Sequence, residues 1–146
     1  MQFVNREEEL SRLQSVRNQS HSRSCMTVVT GRRRIGKTRL IRESLRGETY
    51  LYFFVSRKEE SLLCEEFVEQ IQRVLRISIF GTIRRFKEVF ALLLEESKNQ
   101  PINLVIDEFQ EFYRVNPSVF SDVQHLWNLH KEEAKMNLIL SGSVFS

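Results

Sequence analysis

Between the apolar run Cys25-Met26-Thr27-Val28-Val29-Thr30 and the helix-forming run Thr38-Arg39-Leu40-Ile41-Arg42-Glu43-Ser44-Leu45 lie the residues Gly31-Arg32-Arg33-Arg34-Ile35-Gly36-Lys37-Thr38, which fit the spacing G-x-x-x-x-G-K-[ST]. The first run predicts a buried strand, the second a helix ended by Gly47. Strand, glycine loop and helix in this order leave few folds open. The glycines let the backbone curl so that its N–H groups cradle phosphate oxygens, and the helix N-terminus adds about half a positive charge. In such a loop Lys37 reaches the β- and γ-phosphates of a nucleotide and the Thr38 hydroxyl meets Mg²⁺. Arg32, Arg33, Arg34 and Ile35 fill the variable positions and Arg39 follows Thr38, so all join Gly31, Gly36, Lys37 and Thr38 in the expected cofactor-binding set. The three loop arginines also read as plainly solvated charge.

The rest of the chain alternates in the same way. Asn5 with Glu8 three residues on is a capping-box-like start, and Leu10, Leu13 and Val16 follow at helical spacing, which predicts a first helix of about a dozen residues. Residues 49–55 are β-branched and aromatic and predict a second strand buried on both faces. Residues 59–75, with Leu62, Leu63, Phe67, Val68 and Ile71 inward, and 83–97, with Phe86, Phe90, Leu93 and Leu94 inward, predict two helices. Residues 101–106 predict a third strand, 117–134 a helix, and 137–140 a fourth strand ending in a Ser141-Gly142-Ser143 turn. Strands alternating with helices imply right-handed crossovers and a parallel sheet covered on both faces, with ligands at the carboxyl ends of the strands. The expected fold is α/β in three layers, with strand order 2-3-4-1.

At the end of the third strand stand Asp107 and Glu108. An acid leaving the sheet there can hold Mg²⁺ together with Thr38, and the next carboxylate can orient a water in line with the γ-phosphate and take its proton. Asp107 and Thr38 are therefore the expected metal ligands, and Glu108 with Lys37 the expected catalytic pair. Ser141 or Ser143 could contact the γ-phosphate, and spacing does not choose between them. Gln110 and Glu111 read equally as supporting groups or as solvated residues. His21, His125 and His130 lack ligand spacing, and Trp127, near Val123, Leu126 and Leu129, reads as core.

With 146 residues and 41% hydrophobic content, one domain with one sizeable core is expected. Lys and Arg number 22 against 19 Asp and Glu, an excess too small to argue for nucleic acid on its own. Cys25 and Cys64 have no metal-site spacing and read as free thiols of a reducing compartment. The first ten residues lack an apolar core and no run of 18 apolar residues occurs, so a cytoplasmic, soluble protein without membrane association is expected.

Four segments, residues 3–10, 31–38, 104–109 and 138–143, together resemble the archaeal-type P-loop ATPase family, related to AAA+ and STAND NTPases. The resemblance implies that Gly31, Gly36, Lys37 and Thr38 bind ATP, Asp107 binds Mg²⁺, Glu108 activates water, and Ser141 or Ser143 is a sensor. It also implies that the box Asn5-Arg6-Glu7-Glu8 lies near adenine, with Phe3 and Val4 against the base. Members continue into a fifth strand, a helical lid and often a winged-helix domain. Since this chain stops three residues after Ser143, the resemblance implies a truncated ATPase core without fifth strand or lid. No arginine finger is assignable, and slow or absent turnover follows as an expectation.

Three functions remain in view. The first is Mg²⁺-dependent ATP hydrolysis coupled to a partner or to a C-terminal domain. The second is a nucleotide-dependent switch or scaffold, self-association included. The third is a DNA-associated module, suggested by Arg73, Arg76, Arg84, Arg85 and Lys87, which also read as solvated helix faces. GTP is disfavoured by the lack of an Asn-Lys-x-Asp run.

Overall fold

The computed structural model describes residues 6–31 and 36–143, with the side chain of Arg6 outside that description. Phe3, Val4, the Asn5 cap and loop residues Arg32, Arg33, Arg34 and Ile35 lie outside the described residues. In chain order the elements are α1 (Arg6–Gln19), β1 (Cys25–Gly31), α2 (Lys37–Ser44), β2 (Tyr50–Phe54), α3 (Glu60–Leu75), α4 (Phe86–Glu96), β3 (Ile102–Asp107), a 3-10 turn (Phe109–Glu111) running into α5 (Phe112–Val115), α6 (Ser118–His130) and β4 (Met136–Ser143).

The four strands form one parallel sheet in the order β1-β4-β3-β2, the order the sequence predicts. Strands β3 and β4 occupy the centre, and Ile102 to Asp107 are buried throughout. This burial on both faces explains the apolar runs at 104–106 and 138–140, and the buried Asn137 amide donates to Asn103 Oδ1 at 3.0 Å. Register aligns the carboxyl ends: Gly31 pairs with Ser143, Ser141 with Asp107, and Asp107 with Phe54.

Helices cover both faces, giving three layers. On one face Leu51, Phe53, Leu104, Ile106, Leu138 and Leu140 pack against α3, α4 and α6. Phenylalanines dominate here. Phe53 stacks on Phe67 at 4.2 Å between centroids, and Phe86 meets Phe67 at 5.8 Å and Phe112 at 4.8 Å. Such pairs add about 0.5–1.5 kcal/mol each beyond their buried area. On the other face the cluster is small: Ile41 of α2 and Leu45 just after it, over Val105 and Ile139. Helix α1 lies on α2, and the Arg17 guanidinium donates to the Ser44 carbonyl at 2.8 Å, satisfying one of the free acceptors at the end of α2.

Several expectations need correction. β1 is an edge strand of the sheet, with Val28 61% exposed, and not a buried one. β2 is the other edge, so only Leu51 and Phe53 are buried and Phe54 is half exposed. Leu62 points outward, 45% exposed, while Leu63 and Cys64 beside it are buried. Ser141-Gly142-Ser143 is not a turn but the last part of β4, held in the sheet by β1 and β3.

Candidate functional site

β1 delivers the chain to Gly31, and α2 starts at Lys37 behind Gly36, whose φ of 77° is the left-handed conformation a glycine adopts without strain. Among the described residues no side chain caps this helix, so its first N–H groups form a positive helix end. Lys37 folds back over the sheet edge. Its ammonium donates to the Gly31 carbonyl at 3.3 Å and to the Gly142 carbonyl, spanning the ends of β1 and β4.

The next residue turns to the other side of the edge. The Thr38 hydroxyl donates to Asp107 Oδ2 at 3.3 Å. Asp107 is 6% exposed, and its other oxygen accepts the Glu108 N–H at 2.8 Å. Tyr52 on β2 donates its hydroxyl to the same Oδ2 that faces Thr38. Burial, with the Asp107 contact second, pushes the Tyr52 phenol up to about 12, so it is a donor at neutral pH. The guanidinium of Arg42 lies 4.6 Å above the Tyr52 ring. Sequence reading missed Tyr52, which it took as strand core; a hydroxyl two residues from the carboxyl end of a strand flanking β3 was the available signal.

Glu108 leaves the sheet with φ 57° and ψ 41°, a left-handed conformation that costs a non-glycine residue about 1–2 kcal/mol. The turn is held from both sides. The Glu111 N–H donates to the Glu108 carbonyl at 2.9 Å, while Phe109 packs edge-on against Phe112 and Phe120. The Glu108 carboxylate accepts from Gln110 Nε2 at 2.8 Å on one oxygen and from the Ser143 hydroxyl at 3.4 Å on the other. Gln110 in turn lies against Gly142, where a Cβ would stand 2.4 Å from Gln110 Oε1.

Gly36, Lys37, Thr38, Arg39, Asp107, Glu108 and Ser143 line one cleft of about 330 Å³. Ser141 does not line it. Its hydroxyl is buried beside Asp107 in the register and finds no hydrogen-bond partner among the described residues. Glu111 is turned away, 7% exposed, and accepts from Arg57 Nε at 2.8 Å; that hydrogen bond holds its carboxyl below the usual range.

Among the described residues no group of three or more His, Cys, Asp or Glu gathers as a metal cage. Thr38 Oγ1 and Asp107 Oδ2 are two hard oxygen donors side by side, and this pair fits Mg²⁺, which takes few protein ligands and completes its shell with water and phosphate oxygens.

The family described as an ATPase domain predominantly from Archaea matches residues 3–146. An uncharacterised protein of Methanocaldococcus jannaschii is 29% identical over 144 residues, which are 99% of this chain and 30% of that protein. The chain thus spans about a third of the length of that curated relative. Cdc6p from Pyrobaculum aerophilum superposes with a TM-score of 0.64 at 19% identity, over 95% of this chain and 39% of that one. A Walker-type ATPase of Pyrococcus abyssi gives 0.62 at 18% identity, over 90% and 44%. At these identities the two structures establish the fold alone.

Proposed function

This chain belongs to the ATPase domains found predominantly in Archaea, and from that premise we propose that it binds ATP in the cleft at the carboxyl edge of the sheet and hydrolyses it. The convergence of Lys37, Thr38, Asp107 and Glu108 on one cleft, from two segments about seventy residues apart, carries this reading.

Lys37 is already a donor poised between β1 and β4, and it exchanges the Gly31 and Gly142 carbonyls for phosphate oxygens. The exchange costs little, because charge-assisted hydrogen bonds to phosphate replace those to carbonyls. Thr38 and Asp107 hold Mg²⁺, which when bound shields phosphate charge and polarises the γ-phosphoryl group. Glu108 orients a water and accepts its proton, and its strained backbone aims the carboxylate from the sheet edge into the cleft. Ser143, whose hydroxyl donates to Glu108, reports the γ-phosphate to the rest of β4 in this reading. Nucleotide state is then passed to a partner or to further segments of a longer protein.

Calorimetric titration of Mg·ATP and Mg·ADP into this chain and its Lys37→Ala variant tests the proposal. Binding by the parent that the variant loses is the expected result. Equal binding by both, or none by the parent, would sink it.

A further inference from the structure

Between α3 and α4 the chain crosses the outer surface as a strap of residues 76–85 with no strand partner. Its side chains alternate. Ile77, Ile79 and Ile83 pack against the large core, while Arg76, Ser78, Phe80, Thr82, Arg84 and Arg85 face solvent. The strap is pinned along its length. Arg76 ends α3 in a left-handed conformation, the Ile79 N–H donates to Gln72 Oε1 at 2.9 Å, and fully buried Phe86 donates its N–H to Glu60 Oε2 at 2.8 Å.

Phe80 is 91% exposed, more than any other large apolar side chain among the described residues. Leaving a phenylalanine in water forgoes about 1.5–3 kcal/mol of burial. Residues 73–87 hold five cations, Arg73, Arg76, Arg84, Arg85 and Lys87, and no acid. Arg73 is tied to Glu69 at 3.3 Å, but among the described residues the other four make no salt bridge. An exposed aromatic ring, on a strap whose backbone is pinned next to it at Ile79, is therefore flanked in the chain by uncompensated, mostly arginine, charge.

We propose that this strap is a docking surface for single-stranded nucleic acid, with a base stacked on Phe80 and the flanking phosphates held by Arg76, Arg84, Arg85 and Lys87. The chemistry selects this partner. Arginine forks suit phosphate oxygens, and one flat ring flanked by cations matches the stacking platform used for unpaired bases. A duplex hides the base faces, and a membrane surface calls for a broad apolar face where the strap offers a single ring. The inference does not depend on nucleotide binding in the cleft.

Fluorescence anisotropy with a labelled oligothymidine about 15 nucleotides long tests it. Binding at about 50 mM salt that weakens steeply as salt rises is expected. Phe80→Ala, at a position where burial contributes nothing to the fold, weakens binding about tenfold and leaves the salt slope unchanged. Arg84→Gln with Arg85→Gln lowers the slope by about 1.4, the release expected for two phosphates on a single strand. Absence of binding at low salt, or Phe80→Ala binding like the parent, overturns the proposal. So does equal affinity for a duplex of the same length, or Phe80-dependent binding to phosphatidylserine vesicles that matches the oligonucleotide's.

Discussion

The amide of Gln110 donates to Glu108 Oε1 at 2.8 Å from only two residues down the chain, a reach made possible by the left-handed backbone of Glu108. Gln110 thereby fixes the one carboxylate proposed to handle the reacting water. Gln110→Leu removes the donor and leaves Glu108 tethered by the Ser143 hydroxyl alone. Steady-state kinetics should then show kcat down about tenfold with KM unchanged, part of the 10²–10⁴ that a placed base supplies. A fall in ATP affinity with unchanged kcat would contradict this role.

Gly142→Ala should reproduce that defect indirectly. The new Cβ would stand 2.4 Å from Gln110 Oε1, the far end of a flexible side chain, so Gln110 swings away and its bond to Glu108 breaks. Denaturant unfolding should register a loss of about 1 kcal/mol, the low end for overpacking. In a double-mutant cycle with Gln110→Leu the kinetic effects should not add, since both remove one hydrogen bond. Additive effects would place the Gly142 defect elsewhere.

Tyr52→Phe removes a hydroxyl from Asp107 and should cost about 0.5–1.5 kcal/mol of stability at neutral pH. The sign of its pH dependence follows from the phenol being pushed from 10.0 to about 12 in the folded chain. Between these values the folded state binds more protons than the unfolded one, so stability falls as pH rises. The contribution is whole below pH 10 and is lost as pH approaches 12. Midpoints of urea unfolding for parent and variant should converge over that interval. Cys64 is also raised to about 12, by burial, and it affects both proteins alike.

Arg57→Met strips the buried Glu111 carboxylate of its nearest cation and leaves only Arg114 at 3.9 Å. Because Arg57 itself is 62% exposed, the loss is put at about 1 kcal/mol, below the cost of breaking a fully buried pair. Glu111 titrates low when folded, so its contribution is present above the usual carboxylate range and fades as pH falls through the depressed value. Thermal unfolding at neutral pH and under acid should show the gap between parent and variant closing on acidification.

The sheet order and most helices were legible because apolar runs and helical periods reflect burial that the sequence carries locally. Asp107 and Thr38 were paired in advance by their places at strand and helix ends, and the structure puts them in contact. The turn at Glu108 was not legible. Nothing in Asp107-Glu108-Phe109-Gln110 signals a left-handed residue, whose strain is sustained by Phe109 packing against Phe112 and, further along, Phe120. Ser-Gly-Ser reads as a turn by composition, but pairing with both β1 and β3 extends β4 through it. Tyr52 reads as core until register sets β2 beside β3 and brings its hydroxyl to Asp107.

The unequal layers over the two faces of the sheet divide the molecule mechanically. Helix α2, which carries Lys37 and Thr38, rests on the small cluster of Ile41, Leu45, Val105 and Ile139, whereas β3 and β4 are clamped by the phenylalanine-rich layer as well. Local opening should therefore begin at α2, whose amides exchange with solvent ahead of those in the central strands. A ligand gripping α2 and β3 together would close that fluctuation in proportion to its occupancy, turning a lightly secured helix into the one that registers whether the cleft is filled.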